Sequence, residues 1–114
     1  MEDQSTRQSK VSRQLQRDLS EILREKTNTL FEGAMVTVTT VRISPDLSVA
    51  KIYISIFPSS KKEQVYNTIM ETSRSIRGEL GHRVSKQLRI VPELVFLIDD
   101  SLDYVDKIDE LLRK

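Results

Sequence analysis

The sequence predicts an α+β fold, one domain in which helices pack against a three-stranded mixed sheet. Three observations carry this. An amphipathic helical stripe occupies residues 10 to 26, two strand-like runs follow within residues 35 to 57, and an apolar run without alternation starts after Pro92. At 114 residues the chain is long enough for a single hydrophobic core and short for two, so every element has to share that core.

The first helix is expected over about Lys10 to Lys26. On a wheel of about 100° per residue Val11, Leu15, Leu19, Ile22 and Leu23 gather on one side. Lys10, Arg13, Arg17 and Arg24 line the other, either as a solvated surface paired locally with Asp18 and Glu21 or as a basic contact face. Residues 1–8 are polar and are expected to be disordered.

Met35 to Ser44 reads as a strand whose apolar parity switches between Val38 and Val41, which predicts a bulge near Thr39 and Thr40. Ala50, Ile52, Ile54 and Ile56 alternate with Lys51, Tyr53 and Ser55, the pattern of a strand with one buried face. Pro45, Asp46, Leu47 and Ser48 lie between the two runs and predict an antiparallel hairpin. Phe57 and Phe96 are assigned to the core.

Pro58 and Ser59 close the second strand, and Ser60 with Glu63 has the spacing of a helix capping box. Val65, Ile69, Ile76, Leu80, Val84 and Leu88 continue a helical stripe. A rod from 61 to 88 would measure about 40 Å, long for a domain this small, so a break is expected between 72 and 81, where Gly78 and Gly81 weaken the helix. Leu94 to Ile98 forms the last strand, expected to be covered on both faces. Asp99 and Asp100 stop it and cap a terminal helix over Leu102 to Arg113. The domain is placed at 9–99, with 100–114 as an acidic helix or tail.

Composition narrows the function. Cysteine is absent and His82 is the only histidine, which argues against thiolate or histidine metal clusters. No apolar run reaches the roughly eighteen residues of a membrane span, and Met1 to Gln8 lacks a signal-peptide centre, so a cytoplasmic protein is expected. Net charge is +1, yet residues 1–90 hold 15 Lys and Arg against 10 Asp and Glu, while residues 91–114 hold 3 against 7. An acidic tail thus masks a basic body.

The basic excess concentrates in one segment. Arg74, Arg77, Arg83, Lys86 and Arg89 face a single carboxylate, Glu79, between residues 72 and 90. Arg74, Gly78, Gly81 and Ser85 share a helical face opposite the apolar one. Cations neutralise phosphates, and missing side chains let a sugar-phosphate backbone approach, so this face is the candidate RNA-binding site. The glycines equally suit close helix packing or the helix break itself. Gly78, Glu79, Leu80 and Gly81 match a G-x-x-G string, a weak pattern in which Glu79 sits badly against a phosphate. His82 is a further candidate contact, and Lys10, Arg13 and Arg17 form a second basic surface. With few aromatics, recognition is expected to rest on shape and charge.

The element order resembles the type II KH fold, and several strings are similar to those of the bacterial ribosome-binding factor A family. They are Val41-Arg42-Ile43-Ser44-Pro45-Asp46-Leu47-Ser48 with Ala50-Lys51-Ile52-Tyr53-Ile54-Ser55, then Ile76-Arg77 with Leu80-Gly81, Leu88 through Phe96, and Asp99-Asp100-Ser101-Leu102. The resemblance spans about residues 8 to 112. It implies a non-enzymatic assembly factor that binds the immature small (30S) ribosomal subunit, contacts its 16S rRNA, and assists late rRNA maturation, above all in the cold. It further implies a monomer with no cofactor, no small-molecule substrate and no membrane partner. The family's Ala-x-Gly kink aligns with Thr72, Ser73 and Arg74, which leaves open whether Arg74 or Gly78 faces RNA. Arg77, Gly81 and Arg89 match by neighbouring motif. A KH-like protein-binding module without RNA contact is the alternative. A hydrolase or transferase lacks a motif, since no Ser, His and Asp set has suitable spacing.

Overall fold

The computed structural model describes residues 6–86, 88 and 90–99. Helix α1 spans Thr6–Glu25, strand β1 Met35–Ile43, strand β2 Val49–Phe57, helix α2 Lys62–Val84 and strand β3 Glu93–Ile98, with one 3-10 turn at Ser59–Lys61. The α+β class and the mixed three-stranded sheet are both present. The sheet order is β1-β2-β3, with β1 antiparallel and β3 parallel to the central strand. The terminal helix expected over residues 102–113 lies outside the described residues.

Register follows the apolar pattern. Val36 faces Ile56, Val38 faces Ile54, Val41 faces Ile52 and Ile43 faces Ala50, and all eight are buried. The register shifts between Val38 and Thr40, so the predicted bulge at Thr39 keeps both halves of β1 turned toward the core. The hairpin turn is built around Asp46. Its Oδ1 accepts from the Ser44 hydroxyl at 2.7 Å, the Ser48 hydroxyl at 2.7 Å and the Ser48 N–H at 3.1 Å, while Leu47 takes a left-handed φ of 61°. Those bonds, with the Ser48 hydroxyl foremost, hold the Asp46 carboxyl below its ordinary pKa.

Both helices cover one face of the sheet. From α1, Leu15, Leu19, Ile22 and Leu23 are fully buried, and from α2 Val65, Ile69, Ile76, Leu80 and Val84 join the same cluster. Phe31 and Ala34, from the compact turn between α1 and β1, complete it.

Four expectations need correction. α1 begins at Thr6, four residues before Lys10, so residues 6–8 are helical, and Gln8 Nε2 donates to the Ile43 carbonyl at 3.0 Å. α2 runs without interruption from Lys62 to Val84 and does not break between 72 and 81. Two interior glycines cost about 1 kcal/mol each, less than burying Ile76, Leu80 and Val84 returns, and a 23-residue helix of about 34 Å matches a nine-residue strand of about 30 Å. The Ser60–Glu63 capping box does not form. A 3-10 turn occupies its place, and neither it nor α2 has a side-chain cap bond. Phe57 is outside the core at 66 % exposure, because it has the parity of Lys51 and Tyr53, whose side chains stand on the sheet face away from the helices. Phe96 is buried as expected, and Leu94, Val95, Leu97 and Ile98 are partly buried on both faces of β3.

Candidate nucleic-acid interface

α1 and α2 lie side by side and turn their polar faces away from the sheet. On α1 the apolar stripe is buried, which leaves Lys10, Arg13 and Arg17 exposed. On α2 burial of Val65, Ile69, Ile76, Leu80 and Val84 turns Arg74, Gly78 and His82 outward, and Lys86 follows in the turn after the helix. Arg74, His82, Lys86, Lys10, Arg13 and Arg17 have no side-chain hydrogen bond or ion pair among the described residues, so their donors, and the charge of the five Lys and Arg side chains, remain available. The expected Arg89 lies outside the described residues.

Two of the expected cations are committed to the fold. Arg77 Nη2 donates to the Val91 carbonyl at 2.6 Å and its Nε to the Pro92 carbonyl at 2.9 Å, tying α2 to the segment that enters β3. Arg83 Nη1 bonds Glu21 Oε1 at 2.6 Å and Nη2 bonds Glu25 Oε2 at 3.2 Å, bracing α2 against α1. The Glu21 bond raises the Arg83 pKa above its ordinary value. A third brace pairs Lys26 with Glu79 at 2.6 Å, so the one carboxylate of the basic segment is neutralised inside the molecule.

The two glycines are not equivalent. A Cβ on Gly78 would meet nothing within 4 Å, whereas one on Gly81 would lie 3.3 Å from Val91 Cγ2. Gly78 therefore leaves bare backbone on the outer face, and Gly81 makes room for the strand-entry segment that Arg77 holds.

One cation escaped the sequence reading. Arg7, within the segment expected to be disordered, lines a recess of about 290 Å³ with Lys10, Val11, Gln14 and Leu88. Its signal was its place on the Lys10 stripe, one turn earlier. No group of three or more metal-ligating side chains is present among the described residues, and none of their helices is long and apolar enough to cross a membrane.

A model of the family described as Ribosome-binding factor A matches residues 7–112. The chain belongs to the ribosome-binding factor A family. It is 39 % identical over 111 residues to the ribosome-binding factor A of Cytophaga hutchinsonii, covering 97 % of this chain and 84 % of that one. Identity to the Christiangramia forsetii protein is 41 % over 115 residues, covering 97 % and 86 %. The crystal structure of ribosome-binding factor A from Thermus thermophilus is similar at a TM-score of 0.67 and 27 % identity, over 80 % of this chain and 94 % of that one. A Thermus thermophilus RbfA homology model fitted into a cryo-EM map of a 30S–RbfA complex is similar at a TM-score of 0.64 and 30 % identity, over 78 % and 91 %.

Proposed function

We propose that this protein is an assembly factor that binds the immature small ribosomal subunit through its 16S rRNA and assists late rRNA maturation, with its largest effect in the cold. The family match over residues 7–112 carries the reading, and likeness to a Thermus RbfA fitted into a 30S complex supports the choice of partner. Arg74, Lys86, Lys10, Arg13 and Arg17 contact phosphates, Gly78 admits the sugar-phosphate backbone, and His82 adds a donor or stacking face. Arg77 and Arg83 organise the scaffold behind them. Arg89 joins the phosphate contacts by its place in the family string.

The mechanism needs no covalent step and no cofactor. A factor that binds one rRNA arrangement more tightly than another shifts the population by that difference in affinity. Misfolded RNA persists longer at low temperature, so the same bias counts for more there. The protein acts as a monomer in the cytoplasm, with no small-molecule substrate and no membrane partner.

Sedimentation with purified ribosomal particles tests the reading. Co-migration with free small subunits and not with assembled ribosomes is the expected result. Absence from the small-subunit fraction refutes it. Binding to intact subunits with no affinity for protein-free 16S rRNA would instead favour docking on ribosomal proteins.

A further inference from the structure

The sheet face turned away from both helices has features that its role as a scaffold does not need. Met35 and Phe57 are register partners at one end of the β1–β2 hairpin, 61 % and 66 % exposed. Large apolar side chains paired in the open are unfavourable in isolation, yet here they sit together and outside the core. At the other end Arg42 and Lys51 are register partners and both exposed. Like charges directly opposite one another destabilise a strand pair, and neither cation has an ion-pair partner among the described residues. Tyr53, half-buried, and Ser55, 9 % exposed, lie between the two ends on the same face.

The order along this face of β2 is therefore cation, aromatic, small hydroxyl, aromatic. Tyr53 and Phe57 stand four residues apart on one face, about 13 Å, far enough to seat separate bases. Aromatic rings stack on any base and nearby cations hold the phosphates, the combination found where single strands bind with little sequence preference. A double helix would offer these rings no base faces, because its bases are stacked on one another.

We propose that this outer sheet face is a second RNA surface, separate from the helix face, which takes an unpaired segment with phosphates on Arg42 and Lys51 and bases on Tyr53 and Phe57. It rests on the reading that the protein contacts ribosomal RNA, and it adds that two opposite sides of the molecule do so.

The test follows backbone amide resonances of the full chain during titration with a short oligo(A) strand and, separately, a short RNA duplex. Oligo(A) is expected to move residues 35–42 and 51–57, and the duplex to move α1 and α2. Phe57→Ala, or Arg42→Ala with Lys51→Ala, should each weaken oligo(A) binding about tenfold and leave duplex binding unchanged. Phe57→Leu, which keeps the apolar bulk, should lose nearly as much as Phe57→Ala. Equal binding by Phe57→Leu and the parent overturns the stacking role. Shifts confined to α1 and α2 overturn this inference and leave the proposed function standing, whereas no shift with either RNA overturns both. If oligo(A) leaves the sheet unmoved while Phe57→Ala moves residues 101–114, the acidic segment occupies the face and the proposal fails.

Discussion

Gly78 and Gly81 are three residues apart on one helix and have different jobs. Gly78 has open space where a Cβ would go, so Gly78→Ala should stabilise the fold by up to about 1 kcal/mol in urea denaturation. If RNA backbone approaches there, the same variant should bind small subunits more weakly, a split between stability and affinity that packing alone does not produce. Gly81→Ala should gain less stability, because its methyl meets Val91 at 3.3 Å. A larger gain at Gly81 than at Gly78 would contradict this assignment. Asp46 gives a prediction in pH. Its folded-state pKa is depressed by the Ser48 and Ser44 bonds, so its contribution is present above the unfolded value of about 4 and is lost as pH falls through the folded value. The difference in urea midpoint between the parent and Asp46→Ala should be widest near neutral pH and should close in acid. A gap that stays constant from neutral to strongly acid pH would show that the turn bonds do not act through the carboxylate.

At the scale of elements, α2 decides how the site is displayed. One unbroken helix keeps Arg74, Gly78 and His82 on a continuous outward ridge, which a kink between 72 and 81 would have split. Truncating its buried stripe should therefore cost stability at full core price: Leu80→Ala is expected to lose about 2–5 kcal/mol. Arg77→Ala removes two charge-assisted bonds to the Val91 and Pro92 carbonyls and should cost about 1–3 kcal/mol, with no change in the salt dependence of RNA binding. A flattened salt dependence with unchanged stability would make Arg77 a phosphate ligand instead. The elements were legible where periodicity reports burial directly. Ala50, Ile52, Ile54 and Ile56 gave β2, and the parity change around Thr39 gave the bulge. That same alternation places Phe57 outside, against its assignment to the core. The helix stays whole because burial of Ile76, Leu80 and Val84 outweighs the low local propensity of two glycines, and tertiary burial of that kind is not written in the local sequence. The partners of Arg77 and Arg83 lie 14 to 62 residues away, and no local pattern encodes such pairs.

For the whole molecule, the two-layer arrangement turns a modest net charge into sided chemistry. Burial of both helices' apolar stripes on the sheet sends Arg74, Lys10, Arg13 and Arg17 to one side, while ion pairing consumes Arg83, Lys26 and Glu79 between the helices. The contacts that order the scaffold are thereby distinct from the charges that remain for a polyanion. The most direct measurement is the affinity of the full chain for purified small subunits across a salt series, compared with Arg74→Ala combined with Lys86→Ala. The account predicts that log affinity falls linearly with log salt in the parent and that the double variant lowers the slope by about two. An identical slope in parent and variant would contradict it, because Arg74 and Lys86 would then touch no phosphate.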